Sequence, residues 1–161
     1  MANITIHETQ TQKHLNEQVK EWLWRYRRAK QEVRRLEGEY AELVSVQESV
    51  GAVNLDGMPH GSDPADLSGL IIVRDRMLTR LIKAKQNMST VYCEIMDVLD
   101  KLDNLEHTVL SLRYIQLRDD NTARNFNEIA GAVCYSLRTV TEAHSTALQK
   151  LSGMLSPKSL R

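Results

Sequence analysis

Residues 125–151 read NFNEIAGAVCYSLRTVTEAHSTALQKL, and this stretch decides the fold. Its apolar spacing predicts a short helix over Phe126–Val133, a tight turn at Cys134-Tyr135 and a second helix from Ser136 to about Leu151. A helix-turn-helix places an aliphatic residue and then a small one on its first helix, where the second crosses closely. A branched residue on the second helix faces back. Here Ile129 and Val133 take the inward positions, Ala130 is the small crossing residue, and Tyr135 closes the turn. Val140 and Ala143 face back, and Leu148 and Leu151 extend that face. Ser136 is placed to cap the second helix with its side-chain oxygen. Cys134 stands where the left-handed backbone of such a turn best suits Gly.

This skeleton turns Leu137, Arg138, Thr141, Glu142 and Ser145 outward at the leading end of the second helix. A recognition helix presents that end to the major groove of double-stranded DNA. Arg138 can donate twice to guanine, Glu142 can accept from a cytosine amino group, and Thr141 can meet a thymine methyl. Ser136, Arg113, Arg118, Arg124, His144 and Lys150 are the candidates for phosphate contact.

Charge argues for restraint. The chain has 161 residues with 21 Lys and Arg against 21 Asp and Glu, so it exerts no net pull on nucleic acid as a whole. Asp119, Asp120 and Glu128 lie near the proposed reading helix and repel phosphate. There is a single Phe, and aromatic residues make up 5% of the chain, which excludes a large β-sandwich core. Cys93 and Cys134 form no CxxC and read as reduced, partly buried thiols. The five His have no metal-ligand spacing, Asp119-Asp120-Asn121 lacks the Gly and Glu of a calcium loop, and no triad order is evident. Neither a cofactor nor an enzyme activity is expected. Met1–Gln12 carries no apolar signal region, and no apolar run reaches the roughly 20 residues of a membrane helix. The expectation is a cytoplasmic protein with no membrane partner.

Upstream, Leu15, Val19, Trp22, Tyr26, Ala29, Val33, Leu36, Tyr40 and Leu43 alternate spacings of four and three, a heptad seam running from about Gln10 to Val50. Met77, Leu81, Ala84, Met88, Val91, Ile95, Val98 and Leu102 repeat the pattern in a helix from about Pro64 to Lys101. The segment between, with Gly51, Gly57, Pro59, Gly61 and Pro64, breaks helices; Asp63 and Pro64 suit a new helix start. Gly57–Ser62 lacks the Lys of a phosphate loop, and no strand precedes it. Two such helices joined by a short loop predict an antiparallel, coiled-coil-like hairpin. Trp22, Leu23 and Trp24 are left to pack on a second copy or on the terminal domain. Asp103-Asn104 suits a further helix start, with Glu106 in its first turn. The expected organisation is all-α. The hairpin spans 1–102 with its loop at 51–66, the helix-turn-helix domain spans 103–152, and a flexible tail spans 153–161.

Within the first helix, Arg25, Arg27, Arg28, Lys30, Arg34 and Arg35 interleave with Glu21, Glu32, Glu37 and Glu39. They read as a solvated face with pairs such as Glu21–Arg25, or as a secondary basic patch along the DNA backbone.

The segment LEHTVLSLRYIQ, followed by NFNEIAGAVCYSLRTVTEAHSTALQKL, resembles region four of bacterial sigma factors. Glu106, Val109, Leu110, Arg113 and Tyr114 carry the likeness, with Glu128-Ile129-Ala130, Ser136, Val140, Ala147-Leu148 and Leu151. Most of the chain also resembles the phage-encoded sigma-like regulators related to the RinA and ArpU late-gene activators. That likeness rests on Tyr26–Glu37, Gly57–Pro64 and Tyr135–Leu151. It implies sequence-specific control of phage or prophage late transcription, with host RNA polymerase as a partner. The neutral charge and the slightly basic recognition helix lead to the expectation of a homo-oligomer as the working form. Two rivals share the architecture: a packaging protein similar to a terminase small subunit, and a polymerase-binding protein that does not read DNA.

Overall fold

Long Pro-free segments rich in Arg, Glu, Leu and Ala form helices wherever an apolar stripe can be buried. The computed structural model describes the backbone of residues 2–53 and 64–155, and the side-chain surroundings of 12–48 and 69–155. Asp63, most of the expected 51–66 loop and most of the 153–161 tail lie outside the described residues. Those described are all-helical, with no strand. The helices are α1 (Ala2–Leu23), α2 (Arg25–Val53), α3 (Pro64–Leu99), α4 (Asn104–Leu110), α5 (Phe126–Val133) and α6 (Leu137–Met154). Alpha helix α4 runs on into a π-helical turn, Ser111–Ile115, closed by the Gln116 N–H donating to the Ser111 carbonyl at 2.8 Å.

The single N-terminal helix expected from Gln10 is two helices, and it begins earlier, at Ala2. It is interrupted at Trp24, whose ring meets Tyr114 edge-on at 4.6 Å. At the interruption, the Arg28 guanidinium donates to the Glu21 carbonyl (3.0 Å) and carboxylate (2.9 Å). The expected Glu21–Arg25 pair is thus replaced by Glu21–Arg28, and Arg25 pairs instead with Glu94 at 3.2 Å.

Packing gathers the chain into two compact units. One unit comprises Met1–Arg28 with Thr90–Arg161, the other Ala29–Ser89. In the second unit, Val33 and Leu36 of α2 are buried with Leu81 of α3, flanked by Tyr40, Met77, Ala84 and Met88. The helix segments run antiparallel there: Glu37 pairs with Lys85 at 2.7 Å, and Gln47 accepts from Arg74 at 3.3 Å.

In the first unit, Val19, Trp22 and Leu23 of α1 share one core with Val91, Ile95 and Leu99 of α3. Leu110, Tyr114 and Ile115 join it from α4 and the π turn, and Ala147, Leu148 and Leu151 from α6. Residues 103–155 therefore bury much of their apolar surface against segments far away in sequence. Each aliphatic side chain stripped of such cover loses roughly 1.5–3 kcal/mol. A fragment comprising residues 103–161 is expected to lack a cooperative melting transition by circular dichroism, whereas the full chain has one. A sharp transition in the fragment would show that the shared core is dispensable.

Candidate nucleic-acid interface

Asn125 begins the two-helix unit. Its side chain accepts from the Glu128 N–H at 2.8 Å, and the Glu128 carboxylate accepts from the Asn125 N–H at 3.2 Å. This reciprocal cap satisfies two otherwise unpaired N–H groups. Sequence reading missed it, although the Asn-x-x-Glu spacing was its signal. Helix α5 ends at Cys134, which adopts the left-handed conformation (φ 58, ψ 36). The N–H groups of Cys134 and Tyr135 both point to the Ala130 carbonyl, the latter at 3.2 Å. The Ser136 Oγ then caps α6 by accepting from the Thr139 N–H at 3.1 Å. Ile129, Ala130 and Val140 are buried with Val109; Leu105, Leu112, Phe126, Val133 and Ala143 pack around them.

The other side of α6 stands in solvent. Leu137, Arg138, Glu142 and Ser145 are exposed, and Thr141 is half-buried, its hydroxyl donating to the Arg138 carbonyl at 2.9 Å. Arg138 Nε donates to the Glu142 carboxylate at 2.7 Å, with 87% and 62% of the two side chains exposed. Tyr135 closes the turn with its backbone, but its ring is exposed beside Leu137, an aromatic contribution to this surface that the sequence reading did not foresee.

The expected phosphate-contacting residues are placed differently. His144 is buried; its Nε2 is 3.1 Å from the Tyr114 hydroxyl, and the Phe126 ring lies edge-on to it at 5.0 Å. Burial, reinforced by the Arg113 charge, lowers its pKa to about 4, so it is neutral at pH 7 and is a core residue rather than a phosphate ligand. The Lys150 ammonium holds Asp103 and the buried Glu106, the latter at 2.9 Å, and those bonds raise its pKa. The Glu106 carboxylate also accepts from the Asp103 N–H at 3.3 Å, so Lys150 fastens α6 to the start of α4. Arg113 stacks over Phe126 at 4.5 Å and donates to the Arg124 carbonyl. Arg124 donates to the Gln116 carbonyl at 3.1 Å, and Arg118 pairs with Glu128. These three arginines lace the connection between the π turn and α5. The Arg118 contact also holds the Glu128 carboxyl below its usual pKa.

The basic stretch of the N-terminal helices is divided between the two units. Arg25, Arg27 and Arg28 belong to the first, and Lys30, Arg34 and Arg35 to the second. Arg27 lies over the Trp24 ring at 5.4 Å, and Arg35 pairs with both Glu32 and Glu39. Lys30 is half-buried, and Arg34 is exposed. Both cysteines, expected to be partly buried, are exposed. Among the described residues, no group of three or more His, Cys, Asp or Glu is arranged to hold a metal ion, and no helix is long and apolar enough to cross a membrane.

Comparison with protein-family models, curated proteins and solved structures finds no match to this chain.

Two outcomes follow from the geometry. Cys134→Gly relieves the left-handed strain and is expected to stabilise the protein by about 1 kcal/mol in urea unfolding; a loss of stability would refute the strain argument. His144 has a native pKa of about 4 against the ordinary 6.5 of a solvated imidazole, so the unfolded chain binds the extra proton between those pH values. Stability is therefore full above pH 6.5 and falls as the pH drops towards 4. Between pH 7.5 and 5.0 the loss is roughly 2 kcal/mol from this group, and in His144→Gln it is absent.

Proposed function

We propose that α5 and α6 form a helix-turn-helix that lays the first turns of α6 in the major groove of double-stranded DNA. On this reading the chain is a sequence-specific transcription regulator of a phage or prophage, acting on late genes with host RNA polymerase. One observation carries the proposal: α6 is buried along Val140, His144, Ala147, Leu148 and Leu151, while Leu137, Arg138, Glu142 and Ser145 face solvent beside an ordered turn. The likeness to region four of sigma factors and to the RinA and ArpU group supports the same reading, with α2 and α3 as the coiled-coil-like hairpin of that architecture.

The Arg138–Glu142 pair bears on mechanism. Exposed pairs of this kind contribute little to stability, so DNA can separate them at small cost. Arg138 then donates to guanine, and Glu142 accepts from a cytosine amino group. Residues 103–155 contain six Asp and Glu against five Lys and Arg, so phosphate attraction is weak, and base contacts carry an unusual share of the affinity.

Electrophoretic shift on the phage's own late promoter region tests this. Arg138→Ala should weaken specific binding by about tenfold or more, and Glu142→Ala should relax the preference at one base pair. If both substitutions leave affinity and sequence preference unchanged, α6 is not the reading helix. The weak charge favours one rival, a polymerase-binding protein that does not read DNA. Its sign is a stable polymerase complex without any salt-dependent DNA binding.

A further inference from the structure

Five of the large apolar side chains exposed in this protein lie within twelve residues of α3: Ile71, Ile72, Val73, Leu78 and Ile82. The core side of the same segment is taken by Met77, Leu81, Ala84 and Met88, so these five are not a misread core stripe. Ile71, Leu78 and Ile82 fall on a single second stripe, continued by Asp75, Lys85 and Ser89, and all six are exposed. Its intervals are four, three, four, three and four. A stripe of that period keeps facing one partner helix along its length. Read from either end, the intervals are the same, which suits a partner that is a second copy running the opposite way.

We propose that this stripe is the surface on which two copies of the chain associate, as an antiparallel α3 pair with its two-fold axis at Arg80. In that register Leu78 meets Ile82 of the second copy, and Asp75 meets Lys85 of the second copy, each contact occurring twice as an isologous interface requires. Charge complementarity singles out the occupant: the only acidic and the only basic position on the stripe are brought opposite each other by the operation that also pairs Leu78 with Ile82. Within one chain, Asp75 pairs with Arg74 at 3.4 Å, and Lys85 with Glu37 at 2.7 Å. Both pairs are exposed and weak, so Lys85 can bridge Glu37 and Asp75 of the second copy without a buried charge being stranded. The inference is independent of DNA reading, since no residue of α5 or α6 enters it.

Sedimentation velocity of the full chain across the micromolar range tests it, with circular dichroism confirming that each variant is folded. The wild type should associate reversibly into dimers. Ile82→Glu, at a position already exposed, should weaken association by about tenfold or more. Asp75→Lys should weaken it by a smaller factor, and Asp75→Lys with Lys85→Asp should recover it. A wild type that stays monomeric throughout overturns the proposal, as does a dimer indifferent to Ile82→Glu. Failure of the double exchange to restore association overturns the two-fold register at Arg80.

Discussion

The contact between the Tyr114 hydroxyl and His144 Nε2, 3.1 Å long and buried, ties together the elements on which the candidate reading surface depends. Tyr114 belongs to the π turn, and His144 to the middle of α6. Trp24 meets Tyr114 edge-on from the interruption between α1 and α2, and Phe126 meets His144 from the first residue of α5. Arg27 and Arg113 lie over the two outer rings. Four segments distant in sequence are thus fixed by one aromatic row. A buried imidazole is tolerable only when neutral and partnered. The Tyr114 hydroxyl meets the second condition, and the depressed pKa meets the first.

This arrangement also engages the cations around the connection to α5. Arg113, Arg118 and Arg124 are bound to carbonyl oxygens, a phenyl ring and Glu128 along the connection to α5, and Lys150 is held by Asp103 and Glu106. A connection of ten residues with little helix of its own must satisfy its carbonyls somewhere, and guanidinium groups satisfy several at once. The same side chains cannot hold this connection and also release a layer of counterions from DNA.

Much of the helical framework was legible in the sequence, for a physical reason: a helix buries a stripe, and a stripe has a period. Ile129, Ala130 and Val140 are buried as their spacing indicates, and Cys134 adopts the left-handed backbone that its place in the turn requires. Pro64 opens α3, in keeping with its fixed φ. His144 was legible too: it lies four residues after Val140 and three before Ala147, on the buried stripe, and residue type alone argued for the outside. The interruption at Trp24 and the π turn leave no mark on apolar spacing. The partners of Arg113, Lys150 and Glu106 were beyond reach, because a polar side chain's partner is set by which helices cross, and periodicity within one helix does not carry that information. The two compact units were beyond reach for the same reason: a composition change marks where a helix stops, not where a core stops.

The two faces of α6 therefore answer to different constraints. Its inner face is shared among α1, the end of α3, α4, the π turn and α5, so a substitution there alters the stability of the whole unit. On its outer face, Arg138 and Glu142 pair with each other. That separation lets the leading residues change in sequence with almost no cost to folding. It is the condition under which one framework can carry different exposed surfaces, since the backbone that aims those few side chains is held from behind. The exposed Tyr135 ring extends this free surface past the helix start, so the turn itself contributes to what the helix can meet.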